Sequence, residues 1–123
     1  MTRQDHEPPP ATHAWGWRYH HTGIPTTQPR EGEHYLPQFG MYVSGFPDSP
    51  YGVEWMRFEP DSPLPELIRT VAHVAFEVDD LDQALLGKTV LFPPGSPSAG
   101  VRAAMILDNG SPIELIEFGK GEP

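Results

Sequence analysis

Four side chains of this 123-residue sequence recur in an ordered pattern that could bind a metal ion. "HTGIP" begins at His21 and "HVAFE" at His73, and in each the imidazole is followed two places later by a small residue, Gly23 or Ala75. "VEWMRF" and "IELIEF" then place Glu54 and Glu114 at the same position of two similar apolar runs. Two neutral imidazoles and two carboxylates offset the charge of a divalent ion and leave coordination positions for water or substrate. Such an ion, chelating two adjacent oxygens, acts as a Lewis acid that stabilises an enediolate, while a nearby carboxylate moves the proton. The chemistry expected is therefore proton abstraction next to a carbonyl. Mixed nitrogen and oxygen donors suit zinc, nickel, cobalt, manganese or iron(II), and the donor set does not choose among them.

These residues must be positioned by strands. Successive strand residues point to opposite faces, so His73, Ala75 and Glu77 share one side while Val74, Phe76 and Val78 share the other. The Val and Phe side packs under a helix, which leaves His73 on the concave side. The helix is "DLDQALLG", with an acidic start, Leu81, Ala84 and Leu85 at helical spacing, and a terminal Gly. Parity places His21 with Gly23 and His20 with Ile24, so His21 is the expected ligand; a bulge in this strand would let His20 replace it. Glu54 and Glu114 share a face with Met56 and Ile116, opposite Trp55 and Leu115. A carboxylate among such neighbours is costly unless a cation neutralises it.

The second half reads strand, helix, strand, strand, strand, the last pair turning at "DNGS". The first half repeats this in outline. The histidines lie 73 − 21 = 52 apart and the glutamates 114 − 54 = 60 apart, so the second module carries eight more residues between its His and its Glu. Eight residues make about two helical turns. The first module is thus expected to have lost its helix, and the prolines from Pro25 to Pro37 explain why none forms there. One sheet face then needs cover from the Trp-containing arm or from a partner chain. Residues 1–14, with three consecutive prolines, read as a flexible arm, and 15–123 as one domain, with module one at about 15–60 and module two at about 70–119.

Composition narrows the class of function. The net charge is −9 and the eight Lys and Arg are scattered singly, so neither nucleic acid nor a membrane surface is an expected partner. Without cysteine there are no disulfides or thiolate metal sites. No signal-peptide core or membrane span is legible, and a cytoplasmic protein is expected.

The stretches "HTGIP", "HVAFEVDDLDQAL" and "SPIELIEF" resemble the vicinal oxygen chelate superfamily, which includes glyoxalase I, methylmalonyl-CoA epimerase, extradiol dioxygenases and the bleomycin resistance proteins. The resemblance covers roughly residues 17–118. It implies an α+β fold of two βαβββ modules whose sheets curl into a half-barrel around a divalent metal, often completed as a homodimer. The family's ligands come from the first and last strands of each module, here His21, Glu54, His73 and Glu114. In glyoxalase-like members the last glutamate is also the base, which makes Glu114 the catalytic residue. The resemblance thus implies a metal-dependent lyase or isomerase acting on a small molecule. A non-catalytic binding protein of the bleomycin resistance kind is the alternative. An extradiol dioxygenase, which needs two His and one carboxylate, is a further one that Glu54 argues against.

Other polar and aromatic residues have plainer readings. Arg102, on an otherwise apolar strand, is expected either to bind a substrate carboxylate or to end a ladder at the sheet edge. Glu77 and Glu117 are expected to be solvated, Glu54 has Arg57 or Arg69 as alternative partners, and His34 lies in a loop from which it could reach the cavity mouth. Trp15, Trp17, Trp55 and Phe58 read as core or dimer contacts.

Overall fold

The computed structural model describes residues 2–119. The last residues of the expected domain, 120–123, and the first residue of the expected arm lie outside the described residues. The chain runs α1 (Pro10–His13), β1 (Arg18–Pro25), β2 (His34–Leu36), β3 (Met41–Ser44), β4 (Val53–Phe58), α2 (Glu66–Thr70), β5 (His73–Glu77), α3 (Leu81–Leu85), β6 (Thr89–Ser98), β7 (Val101–Asp108) and β8 (Ser111–Phe118), with one 3-10 turn at Phe46–Asp48. All eight strands form one curled sheet in the order β2-β3-β4-β1-β5-β8-β7-β6. That order reads the same from either edge when module one is exchanged for module two. The fold is the expected α+β half-barrel, with the first module's helix absent.

Local chemistry accounts for the second module's helix. Asp80 caps α3 by accepting a hydrogen bond from the Gln83 amide at 3.1 Å, satisfying one of the donors a helix start leaves free. Leu81 is fully buried and packs with Val78, Ala104, Ile106 and Leu115 on the convex face of the sheet. The hairpin between β7 and β8 turns at Asn109 and Gly110, with φ of 51° and 77°. Positive φ at both central residues matches the right-handed twist of the flanking strands, and Asn-Gly tolerates it.

In module one the segment between β1 and β2 has no helix, and cover for its sheet face comes from within that segment. Arg30 lies over the Trp55 ring at 5.0 Å. Glu33 accepts two hydrogen bonds from Arg57, at 2.7 and 2.8 Å. The Trp-bearing segment goes elsewhere, since Trp17 packs on Phe76 of module two with ring centroids 5.9 Å apart. Of the two covers expected for the first module, the Trp-containing arm or a partner chain, the Trp-containing arm is therefore not the one used.

A second apolar cluster of Met41, Met56, Leu64, Ile68 and Met105 lines the concave side. The helical turn α2 supplies Ile68 to it. Strand β6 extends to Ser98 through Pro93, Pro94 and Pro97, with three register shifts against β7. An edge position permits this, because no further strand needs the missing amide donors.

Candidate metal centre

The four central strands, β4-β1-β5-β8, place the site residues in two rows. Across the sheet Gly23 of β1 faces Glu54 on one side and His73 on the other. In the next row Ala75 of β5 faces His21 on one side and Glu114 on the other. Each row is thus a carboxylate, a small residue and an imidazole, and the module exchange converts one row into the other. The small residues make the space. A Cβ on Gly23 would lie 2.3 Å from Cε1 of His73, so the ring rests directly against this backbone.

The three tightest groups are His21, His73 and Glu114, whose donor atoms all lie within 4.8 Å of one another. Nε2 of His73 is 3.0 Å from Oε1 of Glu114, and Nε2 of His21 is 3.2 Å from the same oxygen. Glu54 is on the same face, its Oε1 3.7 Å from Nε2 of His21. Both imidazoles are buried, and Nε2 of His21 is buried without an aligned hydrogen bond. Metal–nitrogen bonds of about 2.0–2.1 Å in a tetrahedral arrangement put donors roughly 3.3 Å apart, close to the spacings found here. His21, His73 and Glu114 therefore fit a metal ion and can hold one.

Strand β1 is bulged between Tyr19 and His21, so His20 and His21 both reach the same cavity. Nδ1 of His20 is 2.8 Å from Nδ1 of His21, and the His20 ring stacks on Phe46. His20 does not replace His21: it holds the far nitrogen of that ring and leaves Nε2 facing Glu114. An outer partner of this kind sets the tautomer and direction of a metal-binding histidine. The role was not legible from parity alone, although the paired histidines were the signal.

The charges of the site are strongly coupled. Burial disfavours ionised Glu114, but His21 and His73 outweigh burial and hold its carboxyl down at about 2. Burial lowers the His21 pKa, and the close contact with Glu114 more than reverses this, leaving it above the ordinary imidazole value. Burial pushes the Glu54 carboxyl up. His20 is pushed down by burial and by the neighbouring His21.

These groups form the polar floor of a cavity of about 300 Å³ whose walls include Phe39, Met41, Met56, Ile68, Met105 and Phe118. A smaller apolar recess of about 100 Å³ shares Phe39, Ile68, Met105 and Glu114 with it.

Other expected residues lie away from the site. Arg102 points to the convex face, where it pairs with Asp82 at 3.1 Å and lies 3.4 Å from Glu117. Its strand neighbours Val101 and Ala103 face the cavity instead, so alternation carries Arg102 away from any bound molecule. Glu117 is not solvated: it is 1% exposed and accepts a hydrogen bond from the Leu81 amide at 3.1 Å, anchoring the start of α3. Glu77 is partly exposed and pairs with Arg18 at 3.2 Å. Arg57 is taken by Glu33, and Arg69 donates to the Leu64 carbonyl at 2.9 Å, so neither competes for Glu54. His34 is exposed on the short strand β2 and does not line the cavity.

No family model and no curated protein matches the chain. Among solved structures, a hypothetical protein from Bacillus halodurans C-125 superposes with a TM-score of 0.65 at 16% identity, over 87% of this chain and 98% of that one. At that identity the likeness is one of fold.

Proposed function

We propose that the protein is a metal-dependent lyase or isomerase of the glyoxalase and epimerase kind, moving a proton at a carbon next to a carbonyl of a small substrate with adjacent oxygens. The observation that carries this reading is the convergence of His21 Nε2 and His73 Nε2 on a single oxygen of Glu114, at 3.2 and 3.0 Å, on the floor of a cavity. A divalent ion held by His21, His73 and Glu114 would supply Lewis acidity toward the substrate's oxygens, with Glu54 beside it on the same face.

The chain's own groups divide the remaining work. His20 orients His21 through the Nδ1 contact. The apolar walls exclude water from the reacting end of the cavity. Both carboxylates face the cavity, but their environments differ. Glu114, gripped by two imidazoles, is a strong ligand and a weak base, whereas burial raises the basicity of Glu54. The proton-moving role therefore suits Glu54 better than Glu114.

A second reading has one observation in its favour. The tightest group holds two imidazoles and one carboxylate, the donor set of an iron(II) dioxygenase with positions left open for substrate and oxygen.

The test is metal titration followed by exchange. The chain should bind one zinc, nickel, cobalt, manganese or iron(II) ion, and the loaded protein should exchange the carbon-bound hydrogens of 2-hydroxyacetophenone into D2O. Glu54→Gln should keep the metal and lose the exchange. Oxygen uptake with catechol by the iron-loaded protein would select the dioxygenase reading, and a chain that takes up no metal would overturn both.

A further inference from the structure

The cavity contains no cationic side chain among the described residues, although it carries two carboxylates and three imidazoles. Six of the seven Lys and Arg among the described residues have partners elsewhere. Arg18 pairs with Glu77 and Asp79, Arg57 with Glu33, and Arg102 with Asp82. Arg30 lies on Trp55, Lys88 over Trp15, and Arg69 on the Leu64 carbonyl. Apart from the imidazoles and carboxylates of the floor, the walls are largely Leu, Phe, Met, Val, Ile and Ala, and they continue into the apolar recess around Leu64, Ile68 and Phe92.

From this placement we infer that the site is built for an uncharged substrate: two adjacent oxygens at the His21–Glu114 end, and an apolar body, of the size of a substituted benzene ring, lying against Met105, Phe39 and Ile68. Two physical arguments carry the assignment. A carboxylate, phosphate or sulfate at the far end of the molecule would leave water for a wall with no positive partner, and an unpaired buried charge is strongly disfavoured. Apolar surface on the ligand is instead stabilised in proportion to the area it buries. In addition, two carboxylates already offset a divalent ion, so the loaded floor holds no surplus positive charge with which to draw in an anionic tail. The same features exclude substrates that carry a nucleotide or a peptide carboxylate into the cavity. The inference deepens the proposed function and rests on it.

The experiment compares two ligands that differ only at the far end. The full chain is first titrated with zinc, which is redox-inert, and its metal content is measured. Binding of 4-methylcatechol and of 3,4-dihydroxybenzoate to the zinc-loaded protein is then followed by calorimetry at pH 7.5. Both offer the same adjacent oxygens on the same ring, one with a methyl group and the other with a carboxylate. The methyl compound should bind at least about tenfold more tightly, a difference of about 1.4 kcal/mol. Val101→Arg, which adds a cation to the cavity wall, should narrow or reverse that preference in protein shown by metal analysis to hold one zinc. Equal or tighter binding of the carboxylate by the unmodified chain overturns the inference, as does failure of both compounds to bind a chain that has taken up zinc. A chain that takes up no zinc overturns the proposed function and this inference with it, and the metal titration reads that outcome before either catechol is added.

Discussion

The imidazole of His73 rests against the backbone of Gly23 on the neighbouring strand, where an added Cβ would fall 2.3 Å from its Cε1 and 2.8 Å from both ring nitrogens. Gly23 is the residue two places after His21, and Ala75 occupies the equivalent place after His73. Each small residue thus makes room for the site by sitting between an imidazole on one side and a carboxylate on the other. The ring position of His73 is set as much by what Gly23 lacks as by the hydrogen-bonding distance to Glu114.

Gly23→Ala should therefore push the His73 ring out of place without removing any ligand. Overpacking of this kind costs about 1–3 kcal/mol of stability. Metal affinity should fall by roughly 10–100-fold, the range for disturbing a group that orients a ligand. Calorimetric titration with zinc, alongside thermal unfolding of the metal-free chain, checks both numbers. Unchanged affinity would show that His73 is not a ligand.

Removal of a ligand should do more. His73→Ala and Glu114→Ala should each abolish one-to-one metal binding at micromolar concentrations, while His20→Ala should weaken it by roughly 10–100-fold through loss of the Nδ1 contact to His21. Metal content after gel filtration separates the two classes.

The pH response of the metal-free chain follows from the signs of the shifts. Glu114 is held at about 2, below its ordinary 4.5, so the stability it contributes is present above about 4.5 and lost as pH falls toward 2. His21 is raised above its ordinary 6.5, so its contribution is present below that value and lost as pH rises through the raised one. Both describe one pairing, and it is complete only in mildly acidic solution. Urea midpoints should peak between roughly pH 4.5 and 6.5, with Glu114 contributing on the order of 3 kcal/mol there. Metal should invert the alkaline limb, because it binds the neutral imidazole and its affinity climbs as His21 deprotonates.

Glu54→Gln should stabilise the metal-free chain at neutral pH. Burial raises the pKa of this carboxyl, so its ionised form costs stability as pH rises through the interval between its unfolded and folded values. The neutral amide avoids that cost at the expense of proton transfer. A higher unfolding midpoint combined with lost exchange activity is the expected pair of results. A lower midpoint would mean that Glu54 is already paired without metal.

Glu117→Ala tests the face of β8 opposite to Glu114. It removes the acceptor for the buried Leu81 amide at the start of α3 and should cost about 1–3 kcal/mol. Zinc affinity should stay unchanged, because Glu117 and Arg102 lie on the convex side. Arg102→Leu should likewise leave both zinc and 4-methylcatechol binding unaltered.

Much of this architecture was legible along the chain. The paired "HTGIP" and "HVAFE", with Glu54 and Glu114 at matching places, carried the two-module symmetry, because strand alternation acts over a few residues at a time. The acidic start and Leu81, Ala84 and Leu85 spacing likewise announced α3. The prolines after Pro25 announced the missing first helix. Other features depended on pairings between distant residues. That both His20 and His21 face the cavity follows from a bulge set by the register of β1 against β5, some fifty positions away. Glu117 looks like a solvated strand residue until α3 folds over it and offers the Leu81 amide. Arg102 looked available for a substrate until Asp82, on α3, came within 3.1 Å. Residue types and their spacing settled which groups could bind a metal and which face they share. Only the curled sheet decided how near those groups come, which oxygen both imidazoles approach, and that no Lys or Arg among the described residues faces the cavity they line. Such distances are properties of strands brought side by side, and no local pattern encodes them.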